Sequence, residues 1–412
     1  MEILIKDCLI GGAEKSILVS DGKISEVGKP KTTDYVINAK GMAALPGLVN
    51  THTHLAMTMF RGMADDLPLS DWLNKHIWPA EGKYLGGEFC RTGSLLGCLE
   101  MIKSGTTCFA DQYFFMDSTA EAVRESGLRA YLAQAVLDFK TPQYEAGDAL
   151  KVAGRFLRNN PPDEMIKPMV GPHAPYTCCE ETLIASKELA QKHAAMLHIH
   201  ISETKSEAEQ IKKEKGKRPV EYLDSIGFLG GNVLAAHCVY LNEHEIQLMK
   251  KNNTTISHNP TSNMKLASGV APVAQMLAAG IPVTLGTDGC ASNNNLDMFG
   301  EMRQAALLHK VAALDPTAVS ARQALQMATT NAYKSLGLNL GLEVGRDADI
   351  ILVDLKKPHL RPVHNIESHL VYSASGADVD TVIVAGKILM ERRQVKTLNE
   401  EEILEKAEEI KP

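Results

Sequence analysis

The 412-residue chain lacks any run of about 20 apolar residues, so no helix in it is expected to span a bilayer. Its amino terminus, MEILIKDCLI, has an acidic second residue and a short β-like run where a signal peptide would carry a basic region and a longer apolar stretch. It also lacks a dense Lys/Arg block. With a formal net charge of −7 it offers no phosphate-tracking surface, so no nucleic acid is expected and a nucleotide-like ligand should be small. Its 8 cysteines include no CxxC pair and no framework spacing, which argues against a disulfide scaffold and suits reduced thiols in the cytoplasm. No internal repeat or low-complexity tract is present, and the 31 Gly and 18 Pro are scattered, so fibrous and disordered classes drop out.

What is present is an ordinary globular composition, 44% hydrophobic and 23% charged, over a length that favours one large domain with a smaller companion. The first residues read as short strands, ILIKDCLI, SILVS and KISEV, with Asp21-Gly22 suited to a tight hairpin turn. At the far end ADIILVDL (348–355) and DTVIVAGKILM (380–390) are again β-like, with Gly386 where a turn is needed. Neither end can bury its apolar strands alone, so residues 1–46 and 345–395 are expected to pair into one small β-sandwich. Between them β-branched runs alternate with helical patterns about eight times, the sign of a parallel sheet with crossover helices; the expected fold is α/β, a (β/α)8 barrel over 47–344. Residues 396–412 predict a final helix, with Asn399 as N-cap, Glu402 at N3, and Ile403, Leu404, Ala407 and Ile410 as its apolar stripe.

The candidate barrel strands end near His54, Asp111, Val136, His173, His200, His237, His258 and Asp288. A β/α barrel gathers the C-terminal ends of its strands round the active site, so these His and Asp side chains are expected to converge. His52 and His54, two apart in NTHTH, point to one face of a strand and can grip one ion at about 2.0 to 2.1 Å. Alone, such a pair is weak evidence, because a hydrogen-bonded core histidine or a surface strand explains it as well. His200 and, in LGTDG, Asp288 supply a third nitrogen and a carboxylate oxygen, and the four together make a strong metal-binding constellation. His198 lies one layer deeper and reads as a packed neighbour. The expected cofactor is one divalent ion per chain, zinc by ligand type, with Fe2+ or Mn2+ accommodated. An ion of this kind lowers the pKa of a water that it holds, which makes hydrolysis the default reaction. Glu203, three residues past His200, is close enough to donate and retrieve a proton, His237 to stabilise developing charge, and Asp288 to accept the water's proton. The plain alternative for Glu203 is a carboxylate at a helix start.

The stretch from Leu55 to Phe89 is long for a strand-to-helix connection and holds both tryptophans, Trp72 and Trp78, together with Glu81. An aromatic face can cover a planar base, and one carboxylate can accept two hydrogen bonds from a sugar diol; packing beneath the loop is the alternative for both rings.

Over nearly the whole chain, the blocks PGLVNTHTH, RGMADDLPLSDWL, IWPAEGKY, GPHAPYTC, HIHISET, AAHCV, SHNPTSNMKLASGVAP and LGTDGCASNNNLD resemble the amidohydrolase superfamily, and within it the methylthioadenosine/S-adenosylhomocysteine and 5′-deoxyadenosine deaminases. The resemblance implies metal ligands at His52, His54, His200 and Asp288. It implies substrate contacts at Glu81 to the ribose hydroxyls, at His173 to the purine ring and at Glu203 to the N1 edge, with Asp288, Trp72 and Ser292 also at pocket positions. It further implies water attack at C6 of a 5′-substituted adenosine, loss of ammonia, an inosine-type product, and a homotetramer. One departure bears on substrate choice. The loop after the third strand, LDFKTPQYEAGDALK, lacks the arginine with which some relatives hold the amino-acid carboxylate of S-adenosylhomocysteine. Small 5′ groups, as in 5′-deoxyadenosine or methylthioadenosine, are therefore favoured, with S-adenosylhomocysteine admitted through Lys140 or another subunit. A guanine deaminase or a chlorohydrolase-like relative would share the scaffold. A two-metal ring hydrolase of the dihydroorotase kind would need a lysine near the end of the fourth strand, where His173 stands. A purely structural metal site would close every ligand position and would usually include cysteine.

Overall fold

A computed structural model describes residues 2–31, 33 and 35–412. Five strands open the chain: β1 (Ile3–Ile10), β2 (Ala13–Ser20), β3 (Lys23–Gly28), β4 (Tyr35–Asn38) and β5 (Met42–Pro46). Eight follow: β6 (Leu48–Thr53), β7 (Thr106–Tyr113), β8 (Arg129–Val136), β9 (Ile166–Pro172), β10 (Leu197–Ile201), β11 (Val233–His237), β12 (Thr255–His258) and β13 (Val283–Leu285). Four close it: β14 (Ile350–Asp354), β15 (Val379–Val384), β16 (Lys387–Glu391) and β17 (Gln394–Val395).

The two ends of the chain meet in one 9-stranded sheet, ordered β17-β16-β15-β14-β5-β1-β2-β3, with β4 alongside β1. Period-two alternation gives this sheet two apolar faces. Ile350 and Leu352 enter a small core with Ile3, Ile5, Ile17 and Val19, while Ile351 and Val353 join the large core of the barrel. The small core is covered by strands of the same sheet, which gives the expected sandwich its substance within a single hydrogen-bonded ladder. Both expected hairpins form, and left-handed pairs centre them, Asp21-Gly22 at φ 50 and 76 and Ala385-Gly386 at φ 48 and 73, the signs a type I′ turn needs.

β6 to β13 form a separate 8-stranded sheet in chain order, parallel throughout, with helices between successive strands. Its ends approach at the seam between β13 and β6. There Asp288 N–H donates to the His52 carbonyl (2.9 Å), Thr287 N–H donates to Asn50 Oδ1 (3.0 Å), and the Thr51 hydroxyl lies 2.7 Å from that of Thr284. The seam thus joins residues far apart in sequence into one floor. Helix ends are set by local residues: Gly105 and Gly127 close their helices at φ 88 and 82, and Asn242 exchanges hydrogen bonds with Glu245 at 2.9 and 3.1 Å.

Two expectations change in detail. The Leu55–Phe89 connection is largely helical: a 3₁₀ segment Leu55–Phe60, then one continuous helical run over 69–84 whose middle, Trp72–Ile77, is widened to π geometry. Pro79 has no N–H to offer to the turn before it, and Trp78 N–H reaches the Leu73 carbonyl five residues back, the i→i+5 bond of a π-bulge. The terminal helix Glu400–Ile410 buries Ile403 but leaves Leu404 47% exposed, so its apolar stripe is narrower than expected. Ion pairs Lys103–Glu400 and Lys406–Glu88 hold its edge to helix Gly87–Ser104. Among the described residues no helix is long and apolar enough to cross a membrane.

Candidate active site

β6 places His52 and His54 on one side of the strand, and β10 brings His200 beside them. The Nε2 atoms of His54 and His200 are 3.3 Å apart, and Asp288 Oδ1 lies 3.3 Å from His52 Nε2 and 3.2 Å from His54 Nε2. Donor atoms sharing one ion at about 2.0–2.1 Å stand about 3.4 Å from one another, so this spacing suits a single small cation. The opposite ring nitrogens are engaged. His54 Nδ1–H donates to the Gln112 carbonyl (2.5 Å), His200 Nδ1–H to the His173 carbonyl (2.7 Å), and His52 Nδ1 meets His198 Nε2 at 2.9 Å. The two carbonyls place a proton on Nδ1 of His54 and of His200 and so turn their Nε2 atoms inward, the arrangement metal-binding histidines need. His52 Nε2 is buried and has no hydrogen-bond partner, as expected of a donor aimed at an ion. The residues therefore fit the divalent ion that ligand chemistry implies. His198, expected to be packed beneath, lies against His52.

Asp288 is held by more than the imidazoles. Its Oδ1 accepts Gly289 N–H (2.8 Å), and its Oδ2 accepts the hydroxyls of Ser262 (2.6 Å) and Ser292 (2.9 Å). Burial pushes its carboxyl up, but His52 and His54 outweigh that and hold it well below the ordinary carboxylate range. Burial and the other imidazoles hold His200 well below the usual histidine value, and burial carries His52 down to about 4 against the pull of Asp288. Burial also pulls His54 down, yet Asp288 and the Gln112 carbonyl lift it to about 9. A fixed carboxylate that draws a proton onto His54, beside His52 and His200 held neutral by burial, marks a seat for positive charge. Three bends at the rim are left-handed at non-glycine residues, Ser202 (φ 52), His237 (φ 70) and Asp288 (φ 63). Each costs about 1–3 kcal/mol and persists only where the surroundings over-determine it, which is typical of functional sites.

Above this floor lies a cavity of about 380 Å³, a size suited to a small molecule. Its wall carries Glu81, His173, Glu203 and His237. Glu203 is buried; its Oε1 accepts the Ser268 hydroxyl (3.3 Å) and its Oε2 is 3.8 Å from His237 Nε2. Burial lifts its carboxyl, while His237 pulls the other way without cancelling the rise. His237 Nδ1 meets Asn263 Oδ1 at 2.9 Å, which puts the proton on Nδ1 and leaves Nε2 as an acceptor. Glu81 accepts the Tyr113 hydroxyl at 2.6 Å, and burial lifts its carboxyl to about 7 against that hydrogen bond. His173 Nδ1 is occupied by the Thr177 hydroxyl (2.9 Å), so Nε2 is its free nitrogen; burial and then the neighbouring imidazoles lower it to about 3. Trp72 lines the cavity with its ring, its indole N–H being taken by the Ala64 carbonyl (3.1 Å). Trp78 also lines it and faces Phe139, with ring centroids 5.9 Å apart.

Two strand-end residues expected to converge do not. His258 turns away from the cavity toward helix Met298–Ala313, where it meets His309 (Nε2 to Nε2, 3.0 Å), because Ser257 takes the inward position beside Thr51. Asp111 Oδ1 accepts Leu55 N–H (2.8 Å) and braces the turn after His54. Residues that sequence reasoning missed are supports: Tyr113 behind Glu81, Asn263 behind His237, Ser262 behind Asp288. Ser262 and Asn263 stand in the SHNPTSNMK block, where a polar pair at a helix start was the only signal.

A cluster of three imidazoles and a carboxylate, with acid groups on the cavity wall above it, makes this a metal-dependent hydrolase on a β/α barrel. The chain belongs to the amidohydrolase family, whose sequence profile matches residues 43–389. It is 54% identical over 397 residues to a 5′-deoxyadenosine deaminase of Methanosarcina acetivorans, covering 95% of this chain and 91% of that protein. A 5-methylthioadenosine/S-adenosylhomocysteine deaminase of Aquifex aeolicus is 48% identical over 416 residues, covering 98% and 96%. Among solved structures, an adenosine deaminase of Xanthomonas campestris with bound zinc superposes with a TM-score of 0.96 at 35% identity, over 99% of this chain and 97% of that one.

Proposed function

We propose that this enzyme hydrolytically deaminates 5′-substituted adenosines, water replacing the amino group at C6 to give ammonia and the inosine-type product. The carrying observation is Glu203, a buried acid with a lifted carboxyl, standing beside His237 on the wall above the His/Asp cluster. His52, His54, His200 and Asp288 would hold the ion, for which zinc is our assignment; when bound, it supplies an activated water at neutral pH. Glu203 carries a proton to the ring N1, which makes C6 a better electrophile, and retrieves one for the departing amine. His237 accepts a hydrogen bond from the attacking water through Nε2, and Asp288 takes a proton from it. Glu81 accepts the ribose hydroxyls, its orientation set by Tyr113, and His173 engages the purine through Nε2. Trp72 lends its face to the bound nucleoside, while Ser292, bonded to Asp288, steadies that carboxylate.

At the cavity rim stand Phe139, Lys140, Thr141 and Pro142, and Lys140 is paired with Glu145 at 2.7 Å. A cation already matched by a carboxylate gives little to a second carboxylate, which supports 5′-deoxyadenosine and methylthioadenosine over S-adenosylhomocysteine. The reading also includes the division of the chain into 1–46 with 345–395, 47–344 and 396–412, a homotetramer, and a cytoplasmic setting that accords with 8 free cysteines. The test is ammonia release from these three nucleosides, with metal content measured on the same sample. We expect turnover of all three, kcat/KM lowest for S-adenosylhomocysteine, one ion per chain, and a Glu203→Gln variant that keeps its ion but loses about 100-fold or more in kcat. Full activity in that variant would overturn the role of Glu203.

A further inference from the structure

We propose that Glu207 is a positioning residue for Glu203, its carboxylate fixing the turn that aims the Glu203 side chain into the cavity. The inference rests on the reading of Glu203 as the proton carrier.

After β10 the chain bends at Ser202, left-handed at φ 52, before Thr204 caps helix Lys205–Lys215. The Thr204 hydroxyl accepts Glu207 N–H (3.2 Å), so the helix start is already capped. In a capping box the glutamate at N3 would take the N–H of the cap residue itself. Glu207 stands at N3 but reaches further back: Oε1 accepts Ser202 N–H and Oε2 accepts Glu203 N–H, both at 2.8 Å. On the other side of the same bend, the Ser202 carbonyl accepts Val239 N–H and Tyr240 N–H, both at 3.0 Å. The bend is therefore gripped from two directions, by Glu207 and by the loop that follows His237. This grip accounts for a strained non-glycine conformation directly before Glu203. Glu207 is 5% exposed, and burial lifts its carboxyl to about 7 against the two backbone donors. A helix needing only a cap would not require a buried acid here, since Thr204 serves that end. What the acid adds is a fixed direction for the residue whose N–H it holds. A misplacement of about 1 Å at a proton-transferring group can cost about 100-fold in rate.

Glu207→Gln keeps the shape but turns one acceptor oxygen into a donor facing a backbone N–H. With 5′-deoxyadenosine as substrate, kcat should fall about 10- to 100-fold while KM stays within about 3-fold and metal content matches the parent. Should that variant fail to fold, Glu207→Met, which removes both acceptors and leaves no charge, should show the same loss. Because Glu207 acts through Glu203, the double variant Glu203→Gln with Glu207→Gln should be no slower than Glu203→Gln alone. Folded Glu207 variants with parental kcat and only a lower Tm would overturn the inference and leave the role of Glu203 standing. Losses that multiply in the double variant would overturn it as well, since Glu207 would then act elsewhere. Parental kcat in Glu203→Gln removes the underlying reading instead, and with it the reason for the clamp.

Discussion

A Cβ at Gly286 would stand 2.7 Å from the His52 Cβ, from its backbone nitrogen and from Asn259 Nδ2. Contacts that short force backbone apart, and overpacking costs about 1–3 kcal/mol. Gly286→Ala should therefore displace His52: we expect metal content well under one ion per chain by elemental analysis, with activity falling in proportion. An alanine variant with a full complement of metal and parental kcat would show that β6 can yield. A second residue-scale prediction concerns Glu81, whose carboxyl burial lifts to about 7. Below that value it is neutral, above it ionised, and only the ionised form accepts both ribose hydroxyls well. KM for 5′-deoxyadenosine should rise as pH drops through about 7. The Tyr113 hydrogen bond opposes the upward shift, so Tyr113→Phe should move this limb to higher pH. A KM that stays flat from pH 5.5 to 8 would count against Glu81 as the ribose acceptor. At this scale the ligands were legible because three histidines and an aspartate recur at the ends of separate β-runs, a combination far more specific than HxH alone. Tyr113 was not, because nothing local marks a side chain whose partner is reached through folding, and Glu207 has the spacing of an ordinary capping-box acid, which hides its reach back to Ser202 and Glu203.

The helical run over 69–84 is the element that roofs the cavity, contributing Leu69, Trp72, Leu73, Ile77, Trp78 and Glu81 to its lining. The segment leading into it is tied down by Lys265, whose Nζ bonds Asp65 Oδ1 and Asn294 Oδ1. This lysine belongs to helix Pro260–Lys265, the element that also presents Ser262 and Asn263 to the site. Releasing the tie should loosen the roof without touching the reacting groups. Lys265→Met is expected to raise KM about 2- to 5-fold, the equivalent of one partly exposed ion pair, with kcat unchanged. Steady-state kinetics decides this, and a fall in kcat alone would place the role of Lys265 elsewhere. The sequence marked 55–89 as long and aromatic but suggested a loop. Proline and two tryptophans within a few residues argue against a regular helix, and the π-bulge that accommodates them depends on the barrel rim beneath.

For the whole molecule, the question is how the terminal sheet is anchored to the barrel. Arg129, at the start of β8, donates to Asp349 Oδ2 through Nε (2.8 Å) and to Oδ1 through Nη2 (3.1 Å), and Asp349 also accepts Ala385 N–H (2.8 Å). Asp349 is wholly buried and Arg129 is 5% exposed. Removing one partner of such a pair strands the other, at a cost of about 3–5 kcal/mol. Arg129→Ala should lower the urea midpoint accordingly, while the folded fraction keeps its metal and its KM, because the pair lies at the end of the barrel away from the cavity. Loss of under about 1 kcal/mol would mean that solvent reaches Asp349. The eight barrel strands and the pairing of the two chain ends were legible in the sequence, as was the choice of four side chains proposed to hold an ion, because apolar period and ligand type are local properties of a chain. Only the fold set His258 against a helix and brought the Asp288 N–H to the His52 carbonyl across the seam of the barrel. Those outcomes depend on which face a strand turns inward and which distant residue fills the space opposite, and no spacing along the chain encodes them.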